Sequence, residues 1–319
     1  MMRSLFNLLA PAGPHSRLSV LIFHRVHEIA DPLFPNEVDA ALFDRQMAWI
    51  ARWFNVLSLA DAVIALRAGS LPARPAVITF DDGYADNRTV ALPILQRHGL
   101  SATFFIASGF LDGGRMWNDT VIEALRRCEG PHLDLSALGH DAFPVATTEQ
   151  RSNAIRILLA KLKYLEPTER TRQVDAIARH VGLDLPTNLM MSRTQVRELA
   201  AAGMTIGAHT VMHPILACLS DDEALAEMTE GKRQLEEIID APVPFFAYPN
   251  GKPGVDYRAA HARLAQQAGF EAALTTARGV ASLGCDLYQI PRFSPWDRGV
   301  WRYGLRLADN LGCRKYATV

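Results

Sequence analysis

Thr79-Phe80-Asp81-Asp82-Gly83-Tyr84-Ala85-Asp86-Asn87 is the stretch whose reading decides the fold. Ala76-Val77-Ile78, just before it, is a short apolar run of the kind that forms a buried strand. Thr89-Val90-Ala91-Leu92-Pro93-Ile94-Leu95, just after it, reads as a helix closed by Gly99. Two adjacent carboxylates therefore fall between a strand end and a helix start, the edge at which α/β folds hold ligands. Neighbouring side chains on extended backbone point in different directions. If the strand loosens at Gly83, Asp81 and Asp82 reach one pocket in different roles. The alternative is a plain Asp-Asp-Gly turn with an aspartate capping the helix.

Partners for the carboxylates come from a second strand end, Thr205-Ile206-Gly207-Ala208-His209-Thr210-Val211-Met212-His213-Pro214. Its histidines are four apart, a spacing that puts two imidazoles on one side of a helical turn. A lone histidine is usually structural. Two at this spacing, with a carboxylate from another strand end, make a two-histidine, one-aspartate set that leaves positions open for water and substrate.

Thr-Phe-Asp-Asp-Gly and His-Thr-x-x-His together resemble the first two motifs of the polysaccharide deacetylase (NodB-homology) family, carbohydrate esterase family four. The resemblance runs from about Val20 to Phe293, most of the chain. It implies a distorted, incomplete (β/α) barrel. It also implies one divalent metal, commonly zinc, and metal-assisted removal of an acetyl group from a sugar. By motif position Asp81 is then the catalytic base, and Asp82, His209 and His213 hold the metal.

Leu21-Ile22-Phe23-His24 is another apolar run ending in a polar residue. From the residues alone, a histidine there is more often structural. The resemblance reverses this: a circularly permuted branch, resembling poly-N-acetylglucosamine deacetylases, carries its last motif first, which makes His24 the general acid. Tyr248-Pro249-Asn250-Gly251 stands where the family has Arg-Pro-Pro-Tyr-Gly or a variant. Here Ala247 replaces the arginine and Asn250 the tyrosine. The backbone N–H of Asn250 still suits an oxyanion donor, a role that needs no particular side chain. Tyr248 is a candidate substrate contact. Arg292, in Gln289-Ile290-Pro291-Arg292-Phe293, either supplies the missing arginine to Asp81 or is a surface or structural residue. Trp117 is either a stacking platform for a sugar or a loop anchor. Asn118 or Asp119, beside it, is expected to cap a helix Thr120–Cys128.

Composition sets outer bounds. The chain has 319 residues, 49% apolar and 21% charged, as expected of a globular protein. A net charge of −1 argues against a nucleic-acid or membrane partner. Cys128, Cys218, Cys285 and Cys313 form no Cys-x-x-Cys pair, so neither a zinc ribbon nor a redox motif is indicated. The apolar patch Leu5–Pro11 is short for a secretory signal, and no run approaches the ~18 apolar residues of a membrane span. The expectation is a cytoplasmic protein with no integral membrane segment.

One barrel domain over 1–319 is expected, with a helical insertion at about 129–190. The insertion reads as helices Thr148–Leu165 and Pro167–His180. It bears on substrate choice or on self-association, so a homo-oligomer stays open. Asp31–Glu37 is a proline-stiffened loop, either a rim of the cleft or a connector. Further helices are read at Ala41–Ala51, from Ser58 to Arg67, at Ser192–Ala202, from Ser220 to Ile239 and at Asp256–Gln267. Trp296–Asn310 reads as a basic helix that packs on the barrel or faces a membrane surface, packing being the better reading. The resulting function is deacetylation of an N-acetylated sugar in a glycan or glycolipid precursor. The alternatives are an amidohydrolase of the same fold acting on a small non-sugar amide or cyclic imide, and an inactive glycan-binding module.

Overall fold

The computed structural model describes residues 2–182, 184–313 and 315–319. The chain opens with helix α1 (Met2–Leu9), strand β1 (Ser19–Phe23), α2 (Ala40–Trp53), β2 (Asn55–Val56), α3 (Leu59–Ala68) and β3 (Pro75–Phe80). Then come α4 (Leu92–Arg97), β4 (Thr103–Ile106), α5 (Trp117–Arg127) and a hairpin of β5 (His132–Asp134) and β6 (Ala142–Pro144). Two helices follow, α6 (Thr148–Leu162) and α7 (Pro167–Val181). The remainder is α8 (Arg193–Ala201), β7 (Thr205–Ala208), α9 (Asp221–Ile239), β8 (Phe245–Ala247), α10 (Ala259–Gln267), β9 (Ala272–Leu274) and α11 (Val300–Gly312).

The strands pair in parallel in the order β1-β3-β4-β7-β8-β9, with β2 beside the start of β3. The expected distorted barrel is met. The gap between β9 and β1 is spanned by residues 290–293, which make single bridges to both strands, Ile290 to Leu274 and Phe293 to Leu21. This segment is an irregular staple rather than a strand.

Side-chain alternation places the core and the site. Val20, Val77, Phe105, Phe245, Ala247, Ala272 and Leu274 point inward and share one buried cluster with α3. Leu21, Phe23, Ile78, Phe80, Phe104, Ile106, Ile206 and Phe246 point outward, under Phe43, Leu95, Leu199 and Leu235 of the surrounding helices. Continuing the inward parity past the strand ends brings His24, Asp81 and His209 to the C-terminal mouth of the barrel.

Helix starts follow the sequence signals closely. Ser58, Ser192 and Ser220 cap α3, α8 and α9 with their hydroxyls, and Gly69 ends α3 in the left-handed region at φ 61°. Three helix starts are corrected, the first being α11, which begins at Val300 rather than Trp296. α5 begins at Trp117, after Met116, and neither Asn118 nor Asp119 caps it, because both already lie in its first turn. α10 begins at Ala259, since the residues before it form a turn with Lys252 N–H bonded to Asp256. The hairpin β5–β6 has no clear sequence signal. α6 and α7 pack with α5 and the hairpin around their own buried cluster, including Val121, Leu125, Phe143, Leu158, Leu162 and Ile177.

Candidate active site

Gly83 and Gly207 open the mouth of the barrel. A Cβ on Gly207 would lie 2.4 Å from the Phe105 ring, so only glycine lets β7 approach β4 this closely. Gly83 has φ 94°, and a Cβ there would lie 2.9 Å from Ile106. Asp82 itself takes φ 77°, which breaks the extended run of β3. The plain-turn alternative gave no reason for both carboxylates to be buried, yet Asp81 is 2% and Asp82 8% exposed.

The histidine pair is not on a helical turn. Thr210 and His213 both have positive φ, 65° and 52°, so the chain doubles back after His209. His213 N–H donates to Thr210 Oγ1 at 3.0 Å. The N–H groups of Val211 and Met212 both donate to Glu227 of α9, at 2.8 and 2.9 Å. α9 comes this close because its residue 231 is glycine, where a Cβ would meet the Thr210 carbonyl carbon at 2.9 Å.

The result is a compact donor set. His209 Nε2 and His213 Nε2 each lie 3.4 Å from Asp82 Oδ1. The candidate ligand atoms of Asp82, His209 and His213 all fall within 4.8 Å of one another. Ligands held at about 2.0–2.1 Å in tetrahedral directions stand about 3.4 Å apart, so this set fits a small divalent cation. His209 Nδ1 lies 2.7 Å from the Ala247 carbonyl, which fixes the N–H there and leaves Nε2 as the free lone pair. Burial pushes the His213 imidazole down to about 4, so it is neutral and able to ligate near neutral pH. Burial pushes the Asp82 carboxyl up, but the imidazoles of His209, His213 and His24 around it outweigh this and hold it below the usual carboxylate range.

Asp81 is held differently. Arg292, 1% exposed, donates from both terminal nitrogens to the two Asp81 oxygens at 2.6 and 2.7 Å. Its Nε donates to the Thr275 carbonyl at 3.0 Å. Burial raises the Asp81 carboxyl, while Arg292 and His209 lower it further, and the net position is below the ordinary value. Asp81 stays ionised with a fixed orientation, 4.0 Å from His209 Nε2.

His24 is exposed to solvent and borders the same cleft. Its carbonyl accepts from Asn87, and Asp86 holds the next two residues through Arg25 and the Val26 N–H. The cleft has two lobes of about 320 Å³ each, which share His24, Asp82 and Asn118. Asn250, at φ 59°, and Thr276 line the lobe nearest the histidines, as do Leu159 and Ala160 of α6 and Lys163 just after it. Phe34, Asn36 and Glu37 line the other lobe, so the Asp31–Glu37 loop is a rim of the cleft.

Two candidates need separate comment. Tyr248 is a correction. It continues the outward parity of Phe246, is fully buried, and stacks on Tyr257 at 4.0 Å, with its hydroxyl donating to the Tyr288 carbonyl. It faces the helices rather than substrate. Trp117 borders the cleft, half-buried, with the Arg170 guanidinium 5.0 Å over its ring. Asp119 belongs to the cleft wall and was read only as a cap. It is 3% exposed, accepts from the Tyr84 hydroxyl at 3.2 Å, and burial raises its carboxyl to about 7. Its other oxygen has no partner among the described residues. Glu227 and Asp119 carry no motif, and only the folded contacts single them out.

The barrel mouth thus joins a candidate two-histidine, one-carboxylate cation set, buried at Asp82 and His209 and part-buried at His213, to an arginine-held carboxylate. The polysaccharide deacetylase family model matches residues 68–141 and 170–273, more than half of the chain, and the chain belongs to that family. Residues 142–169, between the matched parts, include α6. The YxkH protein of Bacillus subtilis (strain 168), which carries a provisional polysaccharide deacetylase designation, is 20% identical over 87% of this chain and 71% of its own. Among solved structures, Streptococcus pyogenes deacetylase PplD in complex with acetate gives a TM-score of 0.61 at 20% identity, covering 92% of this chain and 98% of that one. IcaB from Ammonifex degensii gives 0.59 at 18%, covering 95% and 98%. These two likenesses establish the fold.

Proposed function

We propose that the protein removes the acetyl group from an N-acetylated sugar in a glycan or glycan precursor. The observation that carries this is one cleft bordered by Asp82, His209, His213, Asp81 and His24, with Arg292 buried against Asp81. A bound divalent cation, zinc by the chemistry of the donor set, would polarise the acetyl carbonyl and lower the pKa of a water to roughly 7. Asp81, kept ionised by Arg292, is a weak base and takes the proton of the attacking water. Asn250 N–H donates to the oxyanion that forms on the substrate. His24, on the solvent side, gives a proton to the departing amine, a very poor leaving group without one. The unpartnered Asp119 oxygen accepts a hydrogen bond from a sugar hydroxyl in the neighbouring lobe, and Trp117 lines the lobe nearest the histidines.

The wall chemistry favours a sugar over a small apolar amide. Arg25, Asn36, Asn118, Asp119 and Lys163 surround the lobes with hydrogen-bonding groups. Acetate release by the zinc-loaded protein, screened over acetylated sugars, nucleotide-sugars and lipid-linked sugars, is the test. Release that disappears in His209→Ala supports the reading. No release from any of them by a fully metal-loaded protein counts against it, and turnover of a cyclic imide instead would assign the amidohydrolase alternative.

A further inference from the structure

The net charge of −1 hides a local asymmetry at the face where the two terminal helices meet. α11 buries Tyr303, Leu307 and Leu311 against the barrel, as its packing requires. α1 buries Met2 and Phe6, and the helices approach closely at Gly304, where a Cβ would lie 2.4 Å from Met2 Cε. Their outer sides are not polar. Leu8 is 80%, Trp301 58% and Leu305 60% exposed. The other large apolar residues that reach solvent away from these helices, such as Ile29, Ile64 and Met212, sit singly on separate segments. Here three lie on one helix pair, with Trp301 and Leu305 one helical turn apart.

Arginines surround them. A cavity of about 490 Å³ between the helices and α2 is lined by Met2, Arg3, Arg52, Trp53, Val300 and Trp301. Among the described residues no carboxylate pairs with Arg3 or Arg52. Arg302 is 84% exposed and lies 3.9 Å from Asp297, which is buried and already bound to Arg306. Exposed Trp and Leu beside Arg3, Arg52 and the solvent-exposed Arg302 is the composition that seats a helix in the headgroup region of an anionic bilayer. A second copy of the chain fits less well, because a two-fold contact would set these arginines against their own equivalents.

We propose that the outer face of α1 and α11 docks onto an anionic lipid surface. The segment leading into α11 carries Trp296, half exposed, which lines the lobe of the cleft beside His24. Docking therefore sets the cleft mouth close to the lipid headgroups. Resting on the deacetylase reading, this makes the substrate a sugar carried on a lipid rather than a free oligosaccharide.

Co-sedimentation of the full chain with phosphatidylcholine vesicles, with and without about one-third phosphatidylglycerol, tests the docking directly. The protein should bind the anionic vesicles, bind the neutral ones weakly, and be released by high salt. Replacing Arg3, Arg52 and Arg302 by Gln together should lower partitioning by about 100-fold, near fivefold for each charge. Trp301→Ser with Leu305→Ser should lower it about tenfold or more, with the circular dichroism spectrum unchanged. His209→Ala should bind vesicles as the wild type does, so a failed deacetylase reading and a failed docking surface give separate results. Equal binding to both vesicle types, no binding to either, or binding unaffected by both sets of substitutions overturns the proposal. So does a dimer that Trp301→Ser and Leu305→Ser convert to monomer while vesicle binding is absent.

Discussion

Arg292 grips both oxygens of Asp81, at 2.6 and 2.7 Å, from the segment that joins the first barrel strand to the last. The same residues thus close the ring and position the proposed base. Phe293 N–H donates to Val20 and Ile290 N–H to Ala273, so the guanidinium is anchored from both sides. Arg292 thus meets Asp81 from the segment that spans the gap between β9 and β1.

Arg292→Ala should therefore damage stability and activity together. It leaves a buried carboxylate without its partner, a loss of about 3–5 kcal/mol. Arg292 is what lowers the Asp81 carboxyl, so with it gone burial raises that carboxyl and the acid limb of the rate profile moves to higher pH. In the wild type the lowered Asp81 contributes stability in full above its unfolded value of about 3.9, and loses it as pH falls through the folded value. The deficit of the variant should be largest near neutral pH and shrink below about pH 4. Denaturant melts across pH and a turnover profile check both. An unmoved acid limb in a folded variant would remove Arg292 from the mechanism.

His209→Ala and Asp81→Asn should separate the two carboxylate systems. The first removes a donor from the cation set, so most of the stoichiometric divalent metal should be gone by elemental analysis after dialysis. The second keeps the metal and loses turnover, since Asp81 donates no atom to the set while both its oxygens are engaged by Arg292. Full metal in a folded His209→Ala protein sinks the ligand assignment.

What could be read from the sequence follows the range of the forces involved. Strand parity and helix caps are local, so the strand ends carrying His24, Asp81 and His209 and the serine caps at 58, 192 and 220 were legible. The bend after His209 was not. It depends on Glu227, which is 16 residues away on α9, and on the glycine at 231 that lets α9 come close. Tyr248 was misread because only a count of parity from β8 shows that it turns outward to stack on Tyr257. Asp119 looked like a cap because the helix starts at Trp117, three residues before the expected Thr120.

Glu227 should prove necessary for metal affinity without touching the metal. Its carboxylate holds two successive N–H groups of the histidine loop. Glu227→Ala frees that loop and blurs the position of His213, while α9 keeps its capping box at Ser220. A fall in metal affinity of about 10–100-fold is expected, the usual range for an outer-shell partner. Competition with a fluorescent chelator measures it. Unchanged affinity would mean that Thr210 alone fixes the loop.

His24 carries the permuted reading, and its test is the most exposed. It continues the inward parity of Val20 and Ile22, borders the same cleft as Asp81 and Asp82, and lies outside the cation set. Its backbone is pinned by Asn87 and, through Arg25 and Val26, by Asp86, so its place at the mouth is fixed. Among the described residues no histidine lines either lobe besides His24 and the two candidate ligands, so the departing amine meets no second imidazole there. A positioned general acid contributes ~10²–10⁴-fold. His24→Ala should reduce turnover by about that factor and leave metal content and thermal stability unchanged. Two results would break the assignment: ordinary turnover in His24→Ala, or a fall in turnover matched by an equal loss of metal. The first would move the acid to water. The second would make His24 a support for the metal centre.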